Sequence, residues 1–314
     1  MSNITAAQVK KLREATDLGL MDCKRALKES DGDFDKAVTI VREKAGVKVT
    51  DKLMGRKASE GRIWKNVEKK GEYGSLIRMN CQTDFTANSD DFGDLLSYAS
   101  IAYTCGDSDD LTDDLSLSNF IVGNIGETIR NIYAKNATVG SKLTELSAKV
   151  GELITIDPAV KFVTQEFEDY VGAYVHFNGK VGAIVNLGFE YEGECKIKSE
   201  KLMSLALESL ANEICVHIVG CNPECVSIDD VDPQKIKTNK DFFAQELKMQ
   251  KRPENKYASI IEGKMQRFYR EVVLLEQRYI RDDRITISQL LETEGEKFGA
   301  KITIKEFCRL QVGE

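Results

Sequence analysis

The chain has 314 residues, enough for one large domain or two to three ordinary ones. Its 44 Lys and Arg against 51 Asp and Glu leave a net charge of −7, which argues against a surface built throughout to grip nucleic acid. With 42% hydrophobic and 30% charged residues the composition is that of a folded globular protein and excludes a disordered one. No stretch approaches about 18 consecutive apolar residues, so no membrane span is expected. Only two histidines are present, His176 and His217, so an enzyme here would rest on carboxylates, Lys or Cys. The eight cysteines are too thinly spread for a disulfide-stapled domain. MSNITAAQVKKLREA has neither an apolar signal core nor a transit composition, and the expectation is a reduced, cytoplasmic protein.

In chain order, the first 46 residues read as three short helices. Thr5 is placed to cap the first, with Gln8 three residues on and Val9, Leu12 and Ala15 on one face. Asp17, Leu18 and Gly19 break it. A second helix runs through Leu20, Cys23, Ala26 and Leu27 to Asp31-Gly32, and a third turns Phe34, Ala37, Val38 and Val41 inward. Residues 47–59 suit a linker or a short exposed helix.

A weak internal repeat follows: GEYGSLIRMN at 71–80 aligns with GKVGAIVNLG at 179–188, a constant offset of 108. Each is the second arm of a hairpin whose first arm is RIWKNVE (62–68) or VGAYVHF (171–177). The turns are Lys69–Glu72 and the two-residue Asn178-Gly179 pair. A helical pattern follows each hairpin, over 91–104 (Phe92, Leu95, Leu96, Ala99, Ala102) and 199–219 (Leu202, Leu205, Ala206, Leu210, Ile214). The fold class expected is α+β, with two related hairpin-helix units.

Between the copies, an acidic run from Asp107 to Asp114 reads as a solvated loop, and 119–137 and 141–150 as helices flanking Gly140. Asn222-Pro223 closes the second copy. The segment 233–270 is helical, poorly apolar and interrupted at Arg252-Pro253, with ten Lys and Arg against four Asp and Glu. It should project as an antiparallel arm. VVLLEQRYI then reads as a strand, Ile287, Leu290 and Leu291 as a helix face, and KITIKEFCRL as a strand.

Few motifs carry chemistry. Cys221 and Cys225 with His217 lack the paired spacing of a zinc site and read as free thiols. No phosphate-binding glycine loop and no nucleophile elbow is present. Aromatics within the basic arm fit an RNA contact or simple helix pairing. Asn80-Cys-Gln-Thr-Asp84-Phe85-Thr-Ala87 joins a strand to a helix. Thr83 or Asp84 can cap that helix with Phe85 stapled to the core, or the loop can be functional.

ITAAQVKKLREATDLGLMDCKRALKESDGDFDKAV, followed after a linker by NCQTDFTAN, closely resembles the bacterial elongation factor Ts family, guanine-nucleotide exchange factors for elongation factor Tu. The likeness continues through both hairpin-helix copies, the arm and EGKMQRFYREVVLLEQRYI, so it covers nearly the whole chain. It implies a ubiquitin-associated-like bundle and linker over 1–55 and a first core subdomain over 56–150. It also implies a second subdomain in two parts, 151–222 and 265–314, with a helical arm over 223–264 inserted between them. It implies no enzyme activity, no cofactor and no metal. The partner expected is elongation factor Tu, both GDP-bound and nucleotide-free, without stable nucleic-acid or membrane binding.

By the same resemblance Thr83, Asp84, Phe85 and Thr86 form the loop that releases the partner's nucleotide. Leu20, Met21 and His176 are docking positions. Thr86 departs from the Val usual at that place, and the linker and the 105–120 region diverge. The alternative reading is a ubiquitin-associated-type binding module without exchange activity, suggested by Leu18-Gly19-Leu20.

Overall fold

The computed structural model describes residues 4–16, 19–41, 44, 57–105, 138–164, 169–191, 196–197 and 199–314. The break at Asp17 and Leu18, most of the linker, the acidic run Asp107–Asp114 and the helix expected over 119–137 lie outside them.

At the N-terminus, helices α1 (Ala6–Thr16), α2 (Leu20–Glu29) and helical backbone over 34–41 (α3) bury Val9, Leu12, Cys23, Ala26, Leu27, Ala37 and Val41 against one another. The expected cap is reciprocal: Thr5 N–H donates to Gln8 Oε1 at 2.9 Å, and Gln8 N–H to Thr5 Oγ1 at 3.3 Å. Asp31 and Gly32 leave α2 with φ of 52° and 88°, the left-handed conformations that end a helix.

Two three-stranded antiparallel sheets carry the rest, ordered β1-β2-β3 and β4-β5-β8. In the first, β1 (Glu60–Val67), β2 (Tyr73–Cys81) and β3 (Thr155–Val163) pair from Glu60↔Cys81 to Val67↔Gly74 and from Tyr73↔Val163 to Asn80↔Thr155. In the second, β4 (Tyr170–Val175), β5 (Val181–Tyr191) and β8 (Ala300–Gln311) pair from Tyr170↔Leu187 and from Val181↔Gln311. Sequence patterning missed β3, because Pro158 interrupts it. The strand tolerates proline as an edge, at a register shift opposite Arg78, where Arg78 Nε and Asn80 Nδ2 take up the Asp157 carbonyl at 2.8 and 2.9 Å.

The repeat extends to individual hydrogen bonds. In the first hairpin Glu68 N–H donates to Tyr73 O and Gly71 N–H to Glu68 O; in the second, His176 N–H donates to Val181 O and Gly179 N–H to His176 O. Every residue in the second set lies 108 positions after its counterpart. Both loops therefore span four residues, not the two expected at Asn178-Gly179. The reason is local: the third residue of each loop is a glycine at φ near 70° whose N–H folds back on the strand end. The hairpins also exchange equivalent bonds, Ile63 N–H to Gly179 O at 2.7 Å and Val171 N–H to Gly71 O at 2.8 Å. Ile63 and Val171 are again 108 apart, so the two sheets meet across an approximate two-fold relation. Ile63, Leu76, Phe162, Val171, Ala173, Ile184 and Leu310 fill the space between them.

Helices cover the sheets. Helix α5 (Asp90–Cys105) buries the five residues expected of it, together with Tyr98 and Tyr103, and packs beside α6 (Val139–Val150), which includes Gly140 in its first turn. Helix α7 (Glu200–Cys221) lies on the second sheet through Leu210, Ala211, Ile214, Cys215 and Ile218. Leu202 and Leu205, expected on that face, are exposed, so the buried face starts later than the pattern implied. Among the described residues one helix, Lys201–Cys221, is long and apolar enough to cross a bilayer by length and composition. In this fold it is the core helix of the second sheet.

The arm is a pair of helices, α8 (Pro233–Met249) and α9 (Tyr257–Val272). It holds a small core of its own, with Val231, Met265, Tyr269 and Val273 at its centre and Ile236, Phe243, Ile261 and Phe268 beside them. Its aromatics thus pin helix to helix, with only Phe242 strongly exposed. VVLLEQRYI is not a continuous strand. Helix α9 runs to Val272, a 3₁₀ turn covers Leu274–Glu276, and only β6 (Arg278–Tyr279) pairs with β7 (Asp282–Thr286). Neighbouring Val273 and Leu274 enter different cores, the arm's and the second sheet's, which a strand on one sheet could not satisfy. Helix α10 (Ile287–Phe298) begins with a Thr286/Gln289 capping box and leads into β8.

Candidate functional site

Strand β2 ends at Cys81, and within three residues the chain begins a one-turn helix, α4 (Asp84–Ala87), before α5. Thr83, extended at φ −127° and ψ 152°, caps it by accepting the Thr86 N–H on its hydroxyl at 3.3 Å. Ser89 accepts the Phe92 N–H at 3.3 Å and so starts α5. Two turns of different helices thus meet at Asn88-Ser89. Thr86 and Ala87 face the core, and that fixes where their neighbours point. Phe85 is 87% exposed and Asp84 is exposed beside it. The cap expected at Thr83 is present, but Phe85 does not staple the loop to the core; that position is taken by Ala87.

A one-turn helix is not stable by itself, since its nucleation costs more than one hydrogen bond returns. The support comes from Glu152, just beyond the left-handed Gly151 that ends α6. One carboxylate oxygen accepts the N–H groups of Gln82 and Thr83, both at 3.1 Å, and the other accepts the Thr83 hydroxyl at 2.7 Å. Because Thr83 donates its only proton to Glu152, its oxygen is free to accept as a cap. Burial raises the Glu152 pKa. The hydroxyls of Thr83 and Thr86 and the two backbone donors outweigh that and hold it below the ordinary 4.5. Sequence reading missed Glu152: it lies 69 residues from Thr83, and Val-Gly-Glu signals only a helix end.

The other expected positions lie elsewhere. Leu20 and Met21 form the first turn of α2 and are 48% and 65% exposed, behind an extended Gly19. His176 directly follows β4, before the second hairpin's loop, its Nδ1 3.1 Å from the Tyr174 hydroxyl. Next to it Phe177, 90% exposed with its ring 4.5 Å from the imidazole, was not singled out from sequence. An apolar residue inside a turn was the signal available.

His217 and Cys221 do come together, but as structure. Ile280 N–H donates to His217 Nδ1 at 3.2 Å, so the proton sits on Nε2, which donates to Gln277 Oε1 at 3.0 Å. Both ring nitrogens are therefore engaged, and burial lowers the pKa of this histidine, offset in part by Gln277. Among the described residues no group of three or more His, Cys, Asp and Glu side chains is arranged to hold a metal ion. Burial pushes the Cys81 and Cys215 thiols up to about 11 and about 12, far from the thiolate range. An open groove of about 960 Å³ between α10 and β8, edged by Lys196, Ser227, Asp230 and Glu292, includes none of the residues above.

The site is thus a turn, braced by Glu152, that offers one aromatic ring and one carboxylate to solvent. The family profile described as "Elongation factor TS" matches residues 82–314, a span that begins within this loop. The chain is 32% identical to Elongation factor Ts of Clostridium botulinum (strain Eklund 17B / Type B) over 311 residues, 99% of this chain and 93% of that one. It is 32% identical to Elongation factor Ts of Lawsonia intracellularis over 313 residues, 99% of both chains. The same identity, over 99% of this chain, holds for Elongation factor Ts of Clostridium perfringens (strain SM101 / Type A).

Proposed function

The chain belongs to the elongation factor Ts family and is a translation elongation factor; from that premise we propose that it binds elongation factor Tu·GDP and speeds release of the GDP. The observation that carries this reading is Phe85, an aromatic side chain held 87% exposed on a braced one-turn helix. A large apolar ring kept in water costs about 1.5–3 kcal/mol against burying it, which makes sense if a partner provides the burial.

In this reading Phe85 wedges between elements beside the partner's nucleotide site. Asp84, whose carboxylate has no hydrogen bond or ion pair among the described residues, is free to pair with the partner. The displacement weakens the partner's hold on Mg²⁺ and on the phosphates of GDP. No covalent step is involved, and the chain acts without a cofactor of its own. Leu20 and Met21 on α2, and His176 on the second hairpin, serve as separate docking points; Phe177 extends the last of these. Several contacts are needed because the interface must offset a substantial nucleotide affinity. The N-terminal bundle acts as a docking domain of ubiquitin-associated type, and the two sheets with their helices as related core subdomains. The arm is an insertion in the second, all working in the cytoplasm.

Linkage supplies the test. If the chain weakens GDP binding by some factor, GDP weakens binding of the chain by the same factor. Affinity of the chain for elongation factor Tu, titrated with and without saturating GDP, should differ by the ratio of GDP affinities with and without the chain. Equal affinities in the two titrations would contradict the proposal.

A further inference from the structure

Glu152 is distant in sequence from the exchange loop, yet it makes the loop's most numerous tertiary hydrogen bonds. Three donors of residues 82–83 converge on its two oxygens, and the Thr86 hydroxyl lies beside them, 3.4 Å from the Thr83 hydroxyl. Its own position is fixed from behind. Gly151 at φ 74° ends α6, and Lys149, in the last turn of that helix, pairs with Asp91 in the first turn of α5 at 2.9 Å. Helix α6 is thereby tied to the elements on both sides of α4. A carboxylate is suited to the task because it accepts from all these donors and donates to none.

We propose that Glu152 is a positioning residue for nucleotide exchange: it latches the Gln82–Thr86 turn so that Phe85 is presented in its docking orientation before the partner arrives. The proposal rests on the exchange function argued above and deepens it. Glu152 bonds to the loop's backbone and to the Thr83 hydroxyl, and in this proposal it acts through Phe85. The gain is pre-organisation. Without the latch, the ordering of a one-turn helix is a cost met at docking, and association slows. Thr86 gives the latch in this chain a hydroxyl that Val lacks at equal size.

The experiment uses the full chain and fluorescent GDP bound to elongation factor Tu, with release followed by stopped flow across a range of chain concentrations. Variants are Glu152→Gln, which keeps the volume but presents donors to donors, Thr86→Val, Phe85→Ala and the Glu152→Gln/Phe85→Ala pair. Deuterium exchange at the Gln82 and Thr83 N–H groups reads the latch directly. The latch predicts about a tenfold loss in kcat/KM for Glu152→Gln, the size expected when the ordering of the turn is left to the docking step. It predicts a smaller loss for Thr86→Val, faster deuterium exchange at both N–H groups, and a double variant no slower than Phe85→Ala alone. Wild-type rates for Glu152→Gln beside a slow Phe85→Ala overturn the latch and leave the exchange function standing. Losses that add in the double variant also overturn it, because Glu152 then acts other than through Phe85. A wild-type rate for Phe85→Ala overturns the exchange reading itself. Should Glu152→Gln fail to fold, Thr86→Val and its deuterium exchange decide the same question.

Discussion

Phe85 belongs to the class that normally fills a core, yet two positions further on the smaller Ala87 is the fully buried one. Spacing alone could not make that distinction, because a strand-to-helix loop has no period from which to read a face. Glu152 was beyond sequence reasoning for a different reason: a hydrogen bond across 69 residues leaves no local trace. His217, four and eight residues before Cys221 and Cys225, is a neutral core residue. Its pKa is lowered by burial below the ordinary 6.5. Above that value the imidazole is neutral, with one ring proton, in both states of the chain. As pH falls through 6.5 the unfolded chain takes up a second ring proton and the folded chain does not, so stability declines until the lowered folded pKa is reached. Urea unfolding between pH 7.5 and 5.5 should therefore show a falling midpoint in the wild type and a flatter one in His217→Gln. Equal slopes would remove His217 as the cause.

At the scale of elements, the repeat was legible because hairpins and amphipathic helices both write their periods into short windows. Gly71 and Gly179, with the alternating residues around them, revealed two hairpins that match down to their turn bonds. The third strand of the first sheet was not legible, since Pro158 breaks the strand pattern and its partner β2 lies some 80 residues earlier. The joint between helix α7 and strand β4 was equally hidden. A Cβ on Gly172 would stand 2.3 Å from the Ala211 Cβ, and the Cys215 thiol donates to the Gly172 carbonyl at 3.5 Å. Glycine is there for close approach, not for its turn freedom. Gly172→Ala should push the helix from the sheet and cost about 1–3 kcal/mol, as overpacking does. Thermal unfolding checks this; an unchanged midpoint would mean that the helix shifts without loss.

For the whole molecule, the net charge of −7 combines a basic arm, ten Lys and Arg against four Asp and Glu over 233–270, with a more acidic remainder. In the proposed function one loop packs against another protein's nucleotide site, work that calls for no histidine base. Among the described residues the exposed apolar side chains include Leu20 and Met21 at the α2 start, Phe85 on the turn and Phe177 in the second hairpin's loop, beside others on strands, α7 and the arm; the proposed multi-point grip draws on the first three places. Of these, the turn is the one assigned to nucleotide release. Stopped-flow release of fluorescent GDP from elongation factor Tu, at a concentration of the chain that saturates the wild type, tests that assignment most directly. The account predicts that Phe85→Ala folds and melts like the wild type but loses most of the acceleration; a rate equal to the wild type's would contradict it.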